Sequence, residues 1–289
     1  MTSLLHDLLA PDRLTEVVDV GASPLDGGDP PYRALLASGL CRVTGFEPQD
    51  DALAQLNATK GPNERYFPYV VGDGESHVLH ICAGTGMTSL LEPDPTTLAL
   101  FDFLRPLGEV VRRVPVTTRR LDDMDEVELL DFLKIDIQGG ELSVFRSGAA
   151  KLSKAVAIQV EVSFVTLYRD QPSFGDIDLE LRGQGFVPHC FAAIKHWPIA
   201  PAVVNGDPRA AVRQLLEADI VYARDFSKPD AMSDEQLRHL AIVADHCYGS
   251  FDLALRCVMH LEQRGALKVG AQNAYLDAVQ RRLAPRPVA

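Results

Sequence analysis

The sequence is short of paired cysteines, positive charge and long apolar runs, and each shortage removes a class of protein. Its five cysteines, Cys41, Cys82, Cys190, Cys247 and Cys257, are odd in number, scattered, and never spaced C-x-x-C. That speaks against a disulfide framework and against zinc-ligand spacing, and it fits reduced thiols in a cytoplasmic protein. No segment approaches the roughly 18 consecutive apolar residues that cross a bilayer. The opening Met1-Thr2-Ser3-Leu4-Leu5-His6-Asp7 has neither the basic start nor the apolar core of a signal peptide. Lysine and arginine number 28 against 40 aspartates and glutamates, a formal net charge of −12. A surface of that sign repels phosphate backbones, so nucleic acid is not the expected partner. Repeats and low-complexity tracts are missing too. What is present is a chain of 289 residues, 46% hydrophobic, enough for one substantial globular domain with an appendage.

The chain is organised around Glu16-Val17-Val18-Asp19-Val20-Gly21-Ala22-Ser23. A short valine run of this kind suits a strand buried on both faces of a parallel sheet. Asp19 is costly in such a strand unless something satisfies it. Gly21 lets the chain turn sharply and lets a ligand approach the backbone. About 25 residues on, Gly45-Phe46-Glu47-Pro48 ends a second strand with one carboxylate. A glycine turn plus an acidic residue after the next strand is how doubly wound folds hold an adenosine ribose. A dinucleotide also requires G-x-G-x-x-G facing its pyrophosphate. Here the position two after Gly21 is Ser23, and Asp26 and Asp29 follow. A ribose-bearing cofactor without phosphate, such as S-adenosylmethionine, fits better than a dinucleotide. A tight turn with no ligand is the third reading.

Alternating strands and helices predict a doubly wound, mostly parallel sheet. Strands are expected over 16–21, 41–47, 65–72, 77–82, 112–118, 129–136, 156–162, 186–194 and 219–224. Helices are expected over 4–9, 32–38 (capped by Asp29 ahead of Pro30-Pro31), 50–58, through Arg146, 174–184 and 208–217. Residues 83–91 read as a loop, and prolines break any long element between Glu92 and Pro106. After Phe226 the composition changes. Ser233-Asp234-Glu235-Gln236 is a capping box opening the first of three helices, so the chain divides into 1–226 and a three-helix extension over 227–289. Leu237, Leu240, Ala241 and Ala244, then Leu253, Leu255, Val258 and Leu261, recur at helical spacing. They suit a bundle packed on the sheet or, alternatively, a surface for a homo-oligomer.

By Leu133-Lys134-Ile135-Asp136-Ile137-Gln138-Gly139-Gly140-Glu141 a pattern is recognisable. This segment resembles the signature of FkbM-type S-adenosylmethionine-dependent methyltransferases. So do residues 17–22, 45–48 and 71–75, the loop 86–90, Val160-Glu161-Val162 and Gly185-Phe186. The resemblance covers roughly residues 14–226. It implies a class I methyltransferase (Rossmann-like) fold, a seven-stranded sheet with one antiparallel strand and helices on both faces. It also implies O-methylation, often of a sugar or polyketide hydroxyl. One departure is visible: the family usually follows its first glycine turn with Asn and another Gly, whereas here 24–29 lengthens that loop.

Methyl transfer is an in-line displacement at a sulfonium methyl, so the enzyme must align the reacting atoms and take up the hydroxyl proton. Glu47, with Pro48 beside it, is expected to accept from the ribose hydroxyls. Asp73 and the Gly74 backbone are expected at the adenine, and Asp19, Gly21, Ala22 and Ser23 beside the methionine part. The resemblance adds Thr88 and Ser89 as cofactor contacts, with Met87 as a packing residue. Asp136 is the first candidate base and a second cofactor contact, and Gln138 an orienting group. Glu161 could share the cleft as a second carboxylate, either as the base's partner or with Asp136 around a divalent metal and a substrate diol; no third metal ligand is identifiable. His196, beside Trp197, and His189 are further candidate bases. Glu141 suits a helix start. Two other functions compete: a dinucleotide-dependent oxidoreductase, and a non-catalytic subunit that keeps a methyltransferase-like fold for binding.

Overall fold

The computed structural model describes residues 4–23, 28–207, 210 and 212–284. In chain order the strands are β1 (Thr15–Val20), β2 (Cys41–Phe46), β3 (Glu64–Phe67), β4 (Val71–Gly72), β5 (Ser76–Cys82), β6 (Val110–Thr117), β7 (Arg119–Arg120), β8 (Phe132–Ile135), β9 (Ala157–Ser163), β10 (Phe186–His196) and β11 (Leu215–Arg224). The helices are α1 (Leu4–Leu9), α2 (Arg33–Ala37), α3 (Asp50–Thr59), α4 (Pro95–Leu98), α5 (Leu104–Leu107), α6 (Glu141–Ser147), α7 (Ala149–Leu152), α8 (Phe174–Gly183), α9 (Asp234–Tyr248), α10 (Phe251–Gln263) and α11 (Ala271–Leu283).

Seven strands form one sheet in the order β10-β11-β9-β8-β1-β2-β3. β11 runs antiparallel to both its neighbours, and the other pairings are parallel. The central strands are apolar on both faces because both are covered. Val18, Val20, Ile135, Ile158 and Val160 meet Leu142, Val144 and Phe145 of α6 and Ile177 and Leu181 of α8. Val17, Val43, Phe132 and Ala157 face the other way, into one apolar core shared with α1, α2 and α9 to α11. The three C-terminal helices therefore pack on the sheet as part of one layer. Ser233 and Gln236 close the expected capping box at the start of α9.

Three expectations are corrected. Residues 65–72 are two strands, not one: β3 stops at Phe67 and β4 pairs with β7 in a separate two-stranded sheet. Pro68 stands at the break, where it lacks the N–H a ladder needs. The helix expected over 208–217 is absent from its described part. Residues 208, 209 and 211 lie outside the described residues, and from Leu215 the chain is strand, with Glu217 opposite Ser163. There pairing on both sides overrides local propensity. Asp29 does not cap α2, whose N-cap is Tyr32; it lies 3.5 Å from Arg33 instead. Of the lengthened loop over 24–29, residues 24–27 lie outside the described residues.

A third apolar cluster sits over the carboxyl ends of the strands. Cys82, Met87, Leu98, Phe101 and Leu104 pack there with Tyr168 and Leu216. The β5–β6 hairpin, α4 and α5 thus form a cap, and the site lies under its edge.

Candidate active site

The glycine turn is fixed from three strands. Gly21 has φ +79°, a conformation that suits glycine. A Cβ there would lie 2.0 Å from the Asp136 carbonyl oxygen. The N–H groups of Gly21 and Ala22 both donate to Phe46 O, at 3.0 and 3.1 Å. From β8, Lys134 Nζ donates to Gly21 O at 3.0 Å. Asp19, 3% exposed, lies directly beneath. Its Oδ2 accepts from Tyr32 OH at 2.5 Å, while Oδ1 is 3.4 Å from Lys134 Nζ and has no hydrogen-bond partner. Burial raises the Asp19 pKa, against the pull of Lys134 and Tyr32.

Above this turn is an open cleft. Gly21, Ser23, Glu47 and Pro48 line it from the ends of β1 and β2. Tyr69, Val71, Leu79 and Leu90 supply an apolar wall. Thr88, Ser89, Asp136 and Gln138 close the far side. Tyr69 is held rigid by stacking on Phe67 at 5.7 Å and by the Arg119 guanidinium at 4.1 Å on its ring. Glu47 is 2% exposed and its Oε1 accepts from Gln49 N at 2.8 Å.

Gln138 is the most constrained residue of the site. It holds φ +59°, unusual for a side-chain-bearing residue. Its Nε2 donates to Asp136 Oδ1 at 2.8 Å and to Glu161 Oε2 at 2.7 Å. Its Oε1 accepts from Tyr168 OH at 3.0 Å, and its carbonyl accepts from Ser89 Oγ at 2.7 Å. Glu161, 7% exposed, is paired on its other oxygen with Lys195 Nζ, which also lies 3.4 Å from Glu217. Burial, then Asp136 and Glu217 nearby, push the Glu161 carboxyl well up. Burial lowers the Lys195 pKa, but Glu161 and Glu217 outweigh it and the net shift is upward.

Eight of the residues singled out in the sequence thus meet at one cleft: Gly21, Ser23, Glu47, Pro48, Thr88, Ser89, Asp136 and Gln138. Asp19, Ala22 and Glu161 lie behind its wall, linked to it through Lys134, the turn and Gln138. Met87 is 6% exposed in the cap cluster, the packing place expected of it. Asp73 and Gly74 are not among the described lining residues. Asp73 Oδ1 accepts from Glu75 N, His77 Nε2 and Thr118 Oγ1. Slight burial raises its pKa, but these bonds outweigh it and bring it to about 2. Its observed work is to hold an Asp-Gly turn against Thr118. His196 ends β10 at the sheet edge, outside the described lining, and Trp197 packs on Phe103 at 5.3 Å. His189 is turned to α10, 2.5 Å from Ser250 Oγ. Glu141 does begin a helix, but buried, accepting from Ile137 N and Gly139 N. The metal arrangement finds no support: Glu161 already faces Lys195 and Gln138. No group of three or more His, Cys, Asp or Glu converges on a metal-holding geometry among the described residues.

Sequence reasoning passed over Lys134, Tyr168, Lys195 and Glu217. A lysine between Leu133 and Ile135 in a buried strand was a usable signal, since an unpaired charge there is costly. The other three carry no local signature.

A family model for the methyltransferase FkbM domain matches residues 19–188. This chain belongs to the FkbM methyltransferase family. As an FkbM-family methyltransferase it uses S-adenosylmethionine, and the site fits that cofactor on its own geometry. The bare Gly21 backbone lines the cleft and admits close approach. The strand order with its one antiparallel strand is the class I methyltransferase arrangement. No curated protein matches the chain. Among solved structures, magnesium protoporphyrin IX methyltransferase from Synechocystis PCC 6803, with bound S-adenosylmethionine, is 11% identical, with a TM-score of 0.36 over 76% of each chain. A putative methyltransferase from Thermoplasma acidophilum is 13% identical, with a TM-score of 0.37 over 78% of this chain and 75% of that one. A protein of the NADB-Rossmann superfamily from Streptococcus agalactiae is 11% identical, with a TM-score of 0.36 over 96% and 97%. Likenesses of this size add nothing to the assignment, which rests on the family match and the strand order.

Proposed function

We propose that this methyltransferase acts on a hydroxyl oxygen of a sugar, a glycan or a related hydroxylated metabolite. The observation that carries the reading is the placement of Asp136. It stands at the cleft with Oδ1 held by Gln138, and its other oxygen has no hydrogen bond among the described residues. A neutral alcohol is a poor nucleophile, so a carboxylate fixed in this way has a use as general base. When bound, the cofactor supplies an electrophilic methyl group.

The chain's own residues then divide the work. Glu47 accepts from the ribose hydroxyls, and the wall of Tyr69, Val71 and Leu90 takes the adenine face. Gly21 and Ser23 hold the methionine end, and Asp19 and Lys134 brace that turn from behind. Ser89 ties the 86–90 loop to Gln138, so the cofactor side and the acceptor side share one scaffold. Asp136 takes the acceptor proton while Gln138 keeps its carboxylate from turning. The cap of β5, β6, α4 and α5 keeps water from the reacting atoms.

The test is calorimetry with S-adenosylhomocysteine and with NAD, followed by transfer of labelled methyl onto a panel of hydroxylated and amine acceptors. Binding of the first ligand alone, with label appearing as a methyl ether, supports the proposal. Label only on nitrogen or carbon overturns the O-methylation part. Binding without transfer to any acceptor favours the non-catalytic reading.

A further inference from the structure

We infer that a second copy of this chain pairs with the free edge of β10, joining two seven-stranded sheets across a two-fold axis.

The two edges of the sheet differ. β3 has four residues and is followed by Pro68, which keeps that edge short. β10 has eleven, and no strand lies on its outer side among the described residues. Pro188 lacks an N–H and the bulge at His189 breaks the ladder beside it, so the amino-terminal half of β10 is protected. The other half is not. Phe191, Ala192, Ala193, Ile194 and Lys195 are all exposed. Successive side chains of a strand point to opposite faces, so both faces are bare here. The bulge at Ala192 bends the strand without covering it.

What fits such an edge is another strand. Backbone N–H and C=O groups of an edge strand point outward with no ladder partner. A bilayer cannot satisfy them, because open sheet edges are not tolerated in hydrocarbon. The alkyl part of a ligand fails for the same reason. A strand meets these groups and also covers Phe191 and Ile194, which are 53% and 46% exposed.

Charge points to a copy of the chain itself. Each copy carries a net charge of −12, so two copies repel unless they meet where carboxylates are missing. No Asp or Glu occurs from Leu181 to Gly206, a stretch that contains the whole of β10. Lys195 is engaged by Glu161 and Glu217 of its own chain. The strand is also complementary to itself. In an antiparallel pairing about a two-fold between Ala192 and Ala193, Phe191 of each copy stands opposite Ile194 of the other. An aromatic beside a β-branched residue is a favourable cross-strand pair. Such an interface uses the same patch on both copies and closes at two.

The experiment is sedimentation and light scattering on the full chain from about 1 to about 100 μM, since assembly follows mass action. A dimer is expected at the upper end, and added salt should strengthen it by screening the like charges. Phe191→Asp and Ile194→Asp each bring two carboxylates close to the axis and should leave a monomer throughout the range. Leu276→Asp, at an exposed position of α11, should stay dimeric like wild type. Hydrogen exchange of the wild-type chain needs no substitution and decides the matter if an edge variant does not fold. Outward amides within residues 190–196 should exchange about tenfold or more slowly in the dimer than after dilution. A wild-type monomer at the highest concentration overturns the inference. So does assembly beyond two copies, a dimer that survives both edge substitutions, or a dimer with no concentration-dependent protection at residues 190–196.

Discussion

A methyl group placed on Gly21 would sit 2.0 Å from the carbonyl oxygen of Asp136. The two residues follow adjacent strands, β1 and β8, and both line the cleft where their backbones meet. Gly21→Ala meets both that clash and a left-handed backbone. A strained residue of this kind costs roughly 1–3 kcal/mol, and relief requires the turn to move. The expected outcome is a lower melting temperature together with loss of S-adenosylhomocysteine binding by calorimetry.

Glu47 gives a sharper test, because it is proposed to touch only the ribose. Hydrogen bonds to a charged group contribute roughly 1.5–3 kcal/mol. Glu47→Ala should therefore weaken S-adenosylhomocysteine binding by about tenfold to a hundredfold. Glu47→Gln, which keeps the shape and one acceptor, should lie between. Unchanged affinity in Glu47→Ala would remove the ribose assignment.

For Asp136 the expectation is reversed. Losing a general base costs roughly 10²–10⁴ in turnover. Asp136→Asn should show that loss in kcat while S-adenosylhomocysteine affinity changes less than about threefold. A variant with affinity and turnover falling together would place Asp136 on the cofactor alone.

Glu141 predicts a pH effect on stability. Burial raises its carboxyl pKa from 4.5 to about 7, although Ile137 N–H and Gly139 N–H favour the charged form. The folded state then holds a proton that the unfolded state has released. Its contribution is fully present below about 4.5 and is lost as pH rises to about 7, at about 1.4 kcal/mol per pH unit. Glu141→Gln should flatten that part of the stability profile, measured by denaturant unfolding at several pH values.

Asp245 anchors the last helix. It is 5% exposed and accepts from Tyr275 OH at 2.7 Å and from Arg282 at 2.6 and 3.1 Å. Breaking a buried pair costs roughly 3–5 kcal/mol, and Arg282 is half-exposed, so about 2–3 kcal/mol is expected for Asp245→Ala. Because α9 and α11 share a core with Val17 and Phe132 of the sheet, unfolding should remain a single transition. Separate melting of residues 227–289 would show the extension to be independent.

Strand ends were the legible part of the site. Gly21, Glu47 and Asp136 each stop an apolar run, and a parallel sheet must gather such ends on one edge. Asp73 also follows an apolar run, but it lies outside the described cleft lining. Pro68 had already taken its strand out of the main sheet, and Thr118, 45 positions away in sequence, claims the carboxylate.

By itself, the order of apolar runs, glycine turns and caps determined the layered architecture and the glycine turn that lines the cleft. These follow from backbone geometry and burial, which are read within a few residues. Only the tertiary structure decided that Lys195 meets Glu161 across β11, that Tyr168 reaches Gln138, and that the C-terminal helices complete the sheet's cover. Such pairings are set by which strand lies beside which. No local pattern encodes that, because a buried charge is stabilised by whatever partner the finished fold brings to it.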